Sequence, residues 1–165
     1  MKSILIITLY AILCAQQPNP QPPVIVGQHQ LRLDEAERIL GEPAILKERR
    51  SDNKIDYYTS SSTFTAKDSL SQKQRNLYYK IERFKSEKEA TTTIQSFIES
   101  NKNLQGFELL TGYGDEAFFL TDKENFCLIV IRISNKLVRI KVNKVTSKTS
   151  YEALKEIGKS FVNRV

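Results

Sequence analysis

Histidine is almost missing from this chain, cysteine is scarce and tryptophan is absent: one histidine, two cysteines and no tryptophan in 165 residues. Metal binding and general-base catalysis recruit histidine more than any other side chain. The single His29 stands at the edge of a Pro/Gln-rich stretch and reads as solvated. With Cys127 as the only other soft ligand beyond the first fifteen residues, one chain cannot assemble a structural zinc site. Nothing draws His29 towards Cys127 as a nucleophilic pair either. No metal and no cofactor are expected.

The other marks of chemistry are equally thin. A serine nucleophile needs a strained Gly-x-Ser-x-Gly elbow or a positioned base, and Ser60-Ser61-Ser62 sits instead in strand-like sequence, where it reads as a polar face. Glycine is sparse, and Gly112-Tyr113-Gly114 has a strand behind it rather than the helix N-terminus that a phosphate cradle requires, so these glycines read as a turn. Asp115 and Glu116 are neighbours in a strand and point to opposite faces, so they cannot converge on one bond. No catalytic residue is assigned, and the chain reads as a non-enzyme. A histidine-independent hydrolase using carboxylates or serine is the alternative from another class.

Long apolar runs are also lacking, with one short exception. Ile4 to Leu13 is apolar but for Thr8 and follows Lys2. It falls short of the roughly 20 residues that span a bilayer and fits the h-region of a signal peptide over residues 1–15. Cleavage after Ala15 would leave Gln16 first. A second reading puts a lipid on Cys14, with Gln16 onward as its tether. Either route leaves Cys127 without an intramolecular partner. Cys127 lies in the apolar run Phe126 to Ile131 and reads as a small buried residue. A tether over 16–30 then leads into one domain over 31–165, a size sufficient for its own core.

What is present is periodicity. Asp34 with Glu37 has the form of a capping box, Ala36, Ile39 and Leu40 form a stripe, and Gly41 with Pro43 marks a stop, so a helix is predicted over 34–40. Ile55 to Ala66 reads as a strand, Lys67 to Arg75 as a loop, and Leu77, Tyr79 and Ile81 alternate as a second strand. Ser86 with Glu89 opens a helix whose Ala90, Ile94, Phe97 and Ile98 share one side. Gly106 to Thr111 and Glu116 to Leu120 follow as strands.

Two alternating runs within Phe126 to Val145 flank Ser134-Asn135 at hairpin spacing, with Asn135 suited to a left-handed turn position. With those two residues as the turn, Ile131 faces Val138, Ile129 faces Ile140 and Cys127 faces Val142. The other side pairs Arg132 with Leu137, Val130 with Arg139 and Leu128 with Lys141. A slip of one residue would mix the faces. A last helix opens at Ser150 with Leu154, Ile157, Phe161 and Val162 on its buried side. The order α-β-β-α-β-β-β-β-α predicts an α+β fold, a single mostly antiparallel sheet with helices packed on it. A strand-strand-helix rhythm recurs, Ile55 to Ser100 against Glu116 to Arg164, without a repeated residue string.

Tyr113-Gly114-Asp115-Glu116-Ala117-Phe118-Phe119, then Val130-Ile131-Arg132-Ile133-Ser134-Asn135-Lys136-Leu137-Val138, then a closing helix, resembles the C-terminal part of small exported bacterial domains, including uncharacterised lipoproteins and members of the PsbP-like fold. The resemblance spans the last third of the chain and implies a class, envelope or secreted proteins with binding or accessory roles. Such domains often carry glycine where this chain has Ser134.

Charge supplies the one candidate surface. The net charge is +6, and no acidic residue lies between Glu124 and Glu152. The derived register puts Arg132, Arg139 and Lys141 on one hairpin face with Leu128, Val130 and Leu137, a candidate binding face for a protein or an anionic envelope component. Export makes nucleic acid an improbable partner, and contact with a membrane would come only through a lipid on Cys14. The expectation is an exported, secreted or periplasmic binding or accessory domain. A self-associating structural envelope protein is a further alternative.

Overall fold

The computed structural model describes residues 29–67 and 74–165. The expected signal segment with Cys14, Ala15 and Gln16, the tether as far as residue 28, and residues 68–73 of the expected loop lie outside the described residues.

Helix α1 (Leu33–Leu40) starts one residue earlier than predicted, because the carboxylate that caps it is Glu35, which accepts the Arg32 backbone N–H at 2.9 Å. Glu37 instead reaches past the helix end to accept the Ala44 N–H at 3.0 Å. Gly41 closes the helix in the left-handed region at φ 70° and donates its N–H to the Glu37 carbonyl at 2.8 Å. A side chain on Gly41 would run into the Lys148 carbonyl.

Strand β1 (Ala44–Lys54) is an addition to the predicted order. It folds back through Ile55 and Asp56 onto β2 (Tyr57–Ala66), so the expected strand from Ile55 is one arm of a hairpin. After β3 (Asn76–Arg83), Ser86 caps α2 (Glu87–Asn101) by accepting the Glu89 N–H at 3.2 Å. β4 (Phe107–Leu109), β5 (Glu116–Thr121), β6 (Phe126–Ile133) and β7 (Lys136–Asn143) follow, then α3 (Tyr151–Ser160), capped by Ser150, and a 3₁₀ turn at Phe161–Asn163.

The fold is α+β. All seven strands form one antiparallel sheet in the order β1-β2-β3-β7-β6-β5-β4. The β6–β7 hairpin has the derived register at all six pairs. Its turn differs in detail: Ser134, at φ 53°, takes the left-handed position. Asn135 is used otherwise. Its side-chain amide donates to the Phe84 carbonyl at 2.9 Å and its own carbonyl accepts the Phe84 N–H at 2.8 Å, which ties the turn to the end of β3.

Helices cover the sheet on both sides. Leu77, Tyr79, Phe119, Cys127, Ile129, Ile131, Val138, Ile140 and Val142 form the larger core with Ile39 and Leu40 of α1 and Leu154 and Ile157 of α3. Gly158 lets α3 lie close, since a Cβ there would sit 2.8 Å from the Ile129 Cδ1. On the opposite face, Ile94 of α2 packs with Phe118, Leu120, Val130 and Leu137. The recurring strand-strand-helix rhythm is therefore not a structural repeat. A two-fold rotation that exchanges antiparallel β3 and β7 would keep the following helices on one face, and α2 and α3 lie on opposite faces.

Candidate functional site

The face under α2 changes character from one edge of the sheet to the other. Three rows of side chains cross it. The first runs Glu48, Thr63, Tyr78, Lys141, Leu128, Leu120 and Phe107; the second Arg50, Ser61, Lys80, Arg139, Val130, Phe118 and Leu109; the third Asp52, Thr59, Glu82, Leu137, Arg132 and Glu116. Charges and hydroxyls occupy β1, β2 and β3, and apolar residues dominate β6, β5 and β4. α2 contacts β5, β6 and β7. It follows that α2 seats its stripe on the apolar half, and that among the described residues no helix covers the polar half.

This geometry divides the six residues of the expected hairpin surface. Val130 and Leu137 are buried beneath α2, and Leu128 packs at the margin of the same cluster. Arg132 is buried as well: its guanidinium bonds Glu116 at 3.0 Å, Asp115 at 3.1 Å, Glu87 at 3.2 Å and the Ser134 carbonyl at 3.1 Å. It joins the start of α2 to β5 and β6, and it corrects the expectation that Asp115 and Glu116 point apart: Asp115 precedes β5, so both carboxylates reach the one guanidinium. The expected open hairpin face is thus corrected. The apolar residues read as contact area for a partner are the seat that the stripe of α2 requires. Alternation revealed the face and the helix periodicity revealed the stripe, but neither shows which pairs with which.

Arg139 and Lys141 lie at the boundary, where the rows emerge from under the helix. Lys141 is exposed, its ammonium 5.4 Å from the Phe126 ring centre, and has no carboxylate partner among the described residues. Tyr78 lies directly across from it and is 40% exposed. In the next row Arg139 pairs with the buried Glu82 and lies over the Phe97 ring. Lys80, its side chain 40% exposed, bonds Glu82 at 2.8 Å. Tyr57 donates its hydroxyl to Glu82 at 2.5 Å. Burial would raise the Glu82 carboxyl, but hydrogen bonds from Lys80 and Tyr57 and the charge of Arg139 outweigh it and hold the group below its ordinary value. Burial and the bond to Glu82 push the Tyr57 phenol up to about 12. Tyr78, Lys80 and Glu82 are legible in the sequence as the other side of the strand that carries Leu77, Tyr79 and Ile81, but neither they nor Tyr57 were expected at a site. The available signal was Lys80 and Glu82 alternating with buried Leu77, Tyr79 and Ile81.

Two other charged places merit comparison. A cleft of about 350 Å³ between α1 and α3 is lined by Glu35, Glu156, Arg32, Arg38, Lys159 and Arg164. Its carboxylates are committed: Glu156 to Arg38 at 2.7 Å, and Glu35 to Arg164 and Arg32. Burial of Glu35 is outweighed by these bonds, so its carboxyl also sits below the ordinary value. At the other end of the sheet, Glu42 and Arg75 form a buried ion pair that Lys148 also joins. It links the end of α1 to the strand entering β3.

Cys127 is fully buried, and burial pushes its thiol up to about 12, so it is an apolar packing residue. His29 departs from the solvated reading. It is half-buried, and its carbonyl accepts the Tyr79 hydroxyl. Ser60 and Ser62 face the larger core side and are buried, whereas Ser61 belongs to the uncovered face. No group of three or more His, Cys, Asp or Glu side chains suited to a metal occurs among the described residues.

Comparison with known proteins adds no relative: no family model matches the chain, and no curated protein or solved structure matches it.

Proposed function

We propose that the protein is a non-enzymatic binding or accessory domain that acts after export and takes an anionic partner on the uncovered half of the sheet, at Lys141, Tyr78, Lys80 and the Ser61 and Thr63 hydroxyls beside them. One observation carries this reading: the contacts of α2 lie on β5, β6 and β7, so the boundary residues form a hydroxyl-rich surface, exposed at Tyr78 and Lys141 and half-buried at Ser61, Thr63 and Lys80, on which Lys141 has no carboxylate of its own among the described residues. A cation without a carboxylate of its own, Lys141, beside neutral hydroxyl donors suits the oxygens of sulfate, phosphate or carboxylate groups along a polymer. Arg139 contributes through Glu82, which holds both Arg139 and Lys80 in place. The predicted signal segment at residues 1–15 and the resemblance to small exported domains support a site of action in the envelope or outside the cell.

Retention on a dextran sulfate resin tests the reading. Neutralising Lys80→Gln with Lys141→Gln is expected to lower the salt concentration needed for elution. Lys88→Gln with Lys136→Gln, an equal change of net charge elsewhere, is expected to shift it clearly less. Equal shifts for the two variants would show general charge attraction and refute the site.

A further inference from the structure

Strand β1 is the longest in the sheet and lies at its edge, with no strand on its outer side among the described residues. Such an edge offers a row of backbone donors and acceptors to another strand, and natural proteins commonly protect it with charge. The charges here follow a specific order. Beyond the irregularity between Leu46 and Glu48, the strand pairs regularly with β2, and its side chains towards the uncovered face are Glu48, Arg50, Asp52 and Lys54. Their signs read minus, plus, minus, plus. Reversed in direction, that series is its own complement.

We infer that β1 pairs antiparallel with β1 of a second copy of this chain, about a two-fold axis at Ser51. In that register Glu48 faces Lys54 of the other copy and Arg50 faces Asp52, each contact occurring twice by symmetry, and Ser51 faces Ser51. On the other side of the strand Arg49 faces Asn53. Opposite charges directly across a strand pair are favourable and like charges unfavourable. A two-fold axis normal to the sheet keeps each face continuous, so neighbouring registers differ by two residues. Moving the axis to residue 50 sets Glu48 against Asp52 and Arg50 against itself. Moving it to residue 52 sets Asp52 against itself and Arg50 against Lys54. Both are repulsive throughout, so the same charges that discourage indiscriminate pairing admit this one register.

In the single chain these side chains are exposed and pair along the strand, Arg50 with Glu48 and Lys54 with Asp52 at 3.3 Å. Pairing across the axis adds a second opposite charge to each. The contact is isologous and closes on itself. The far edge of the sheet is the three-residue β4, too short to continue the ladder, so the product is a two-copy sheet of fourteen strands rather than a fibre. This inference does not depend on the anion-binding reading, whose residues lie on β2, β3 and β7.

Sedimentation equilibrium of the purified full chain is expected to give twice the chain mass. Arg50→Asp alone and Asp52→Arg alone are each expected to return it to a single chain mass, and the two together to restore the doubled mass. As an independent readout, with Cys14 replaced by Ser in both proteins, Ser51→Cys should form an interchain disulfide on mild oxidation that the protein with Ser51 does not form. Paired strands place facing Cα atoms about 4.5–5.5 Å apart, within disulfide reach. A single chain mass for the unaltered protein, doubling that survives either single reversal, or failure of the double reversal to restore it would overturn the inference.

Discussion

Glu82 is a buried carboxylate that accepts from Tyr57, Lys80 and Arg139, three side chains that approach it from β2, β3 and β7. Removing its charge leaves two cations facing each other at the rim of α2. Losing one partner of a fully buried pair costs about 3–5 kcal/mol. Arg139 is 28% exposed, so solvent screens part of the penalty. Glu82→Gln is expected to lower stability by about 2 kcal/mol in urea unfolding. Because the folded protein holds this carboxyl below its ordinary value, its contribution is fully present above the ordinary carboxylate range and is lost as pH falls through the lowered value. The difference between the two proteins should therefore shrink in acid. Single residues were legible where one property decides them. Cys127 could be placed because an isolated thiol in an apolar strand has one cheap location. His29 could not, since its environment depends on the Tyr79 hydroxyl, fifty residues away.

Elements were legible where periodicity and capping agree. The β6–β7 hairpin obeyed its alternation at every pair, and Ser86 and Ser150 both cap the helices they were expected to open. β1 escaped because Glu48 to Lys54 has no apolar side to betray a period. Its side chains are exposed on both faces among the described residues, and its ladder to β2 makes it a strand. The α1 cap was displaced because two carboxylates compete near its start, and Glu35, next to Arg164, takes the backbone N–H while Glu37 turns to β1. The end of α1 is more tightly specified. Gly41 adopts a conformation that costs other residues about 1–2 kcal/mol, and its missing side chain leaves room for the Lys148 backbone. Gly41→Ala is expected to destabilise by at least about 2 kcal/mol, read as a lower midpoint in thermal unfolding, while the resin retention of the folded protein stays unchanged.

Across the whole molecule, the proposed function rests on an asymmetry of coverage. Among the described residues one face of the sheet carries α1 and α3, and the other carries α2 alone, displaced towards β5 and β6. The α+β class and its antiparallel sheet followed from strand patterns and short turns. Coverage did not, because it depends on where a helix lands on a sheet whose strand order, with β3 beside β7, joins residues more than fifty positions apart. Arg139 and Lys141 were therefore legible as a basic pair, whereas Tyr78 and Lys80 join them only through that long-range pairing. The uncovered polar half, and not the hairpin beneath α2 or the cleft between α1 and α3, is the proposed anion site. Backbone amide shifts of the isotopically labelled protein, followed by NMR as dextran sulfate is added, test it most directly. The predicted result is a set of perturbed amides centred on Ser61, Thr63, Tyr78, Lys80 and Lys141; perturbations centred on Arg38, Lys159 and Arg164 would contradict it.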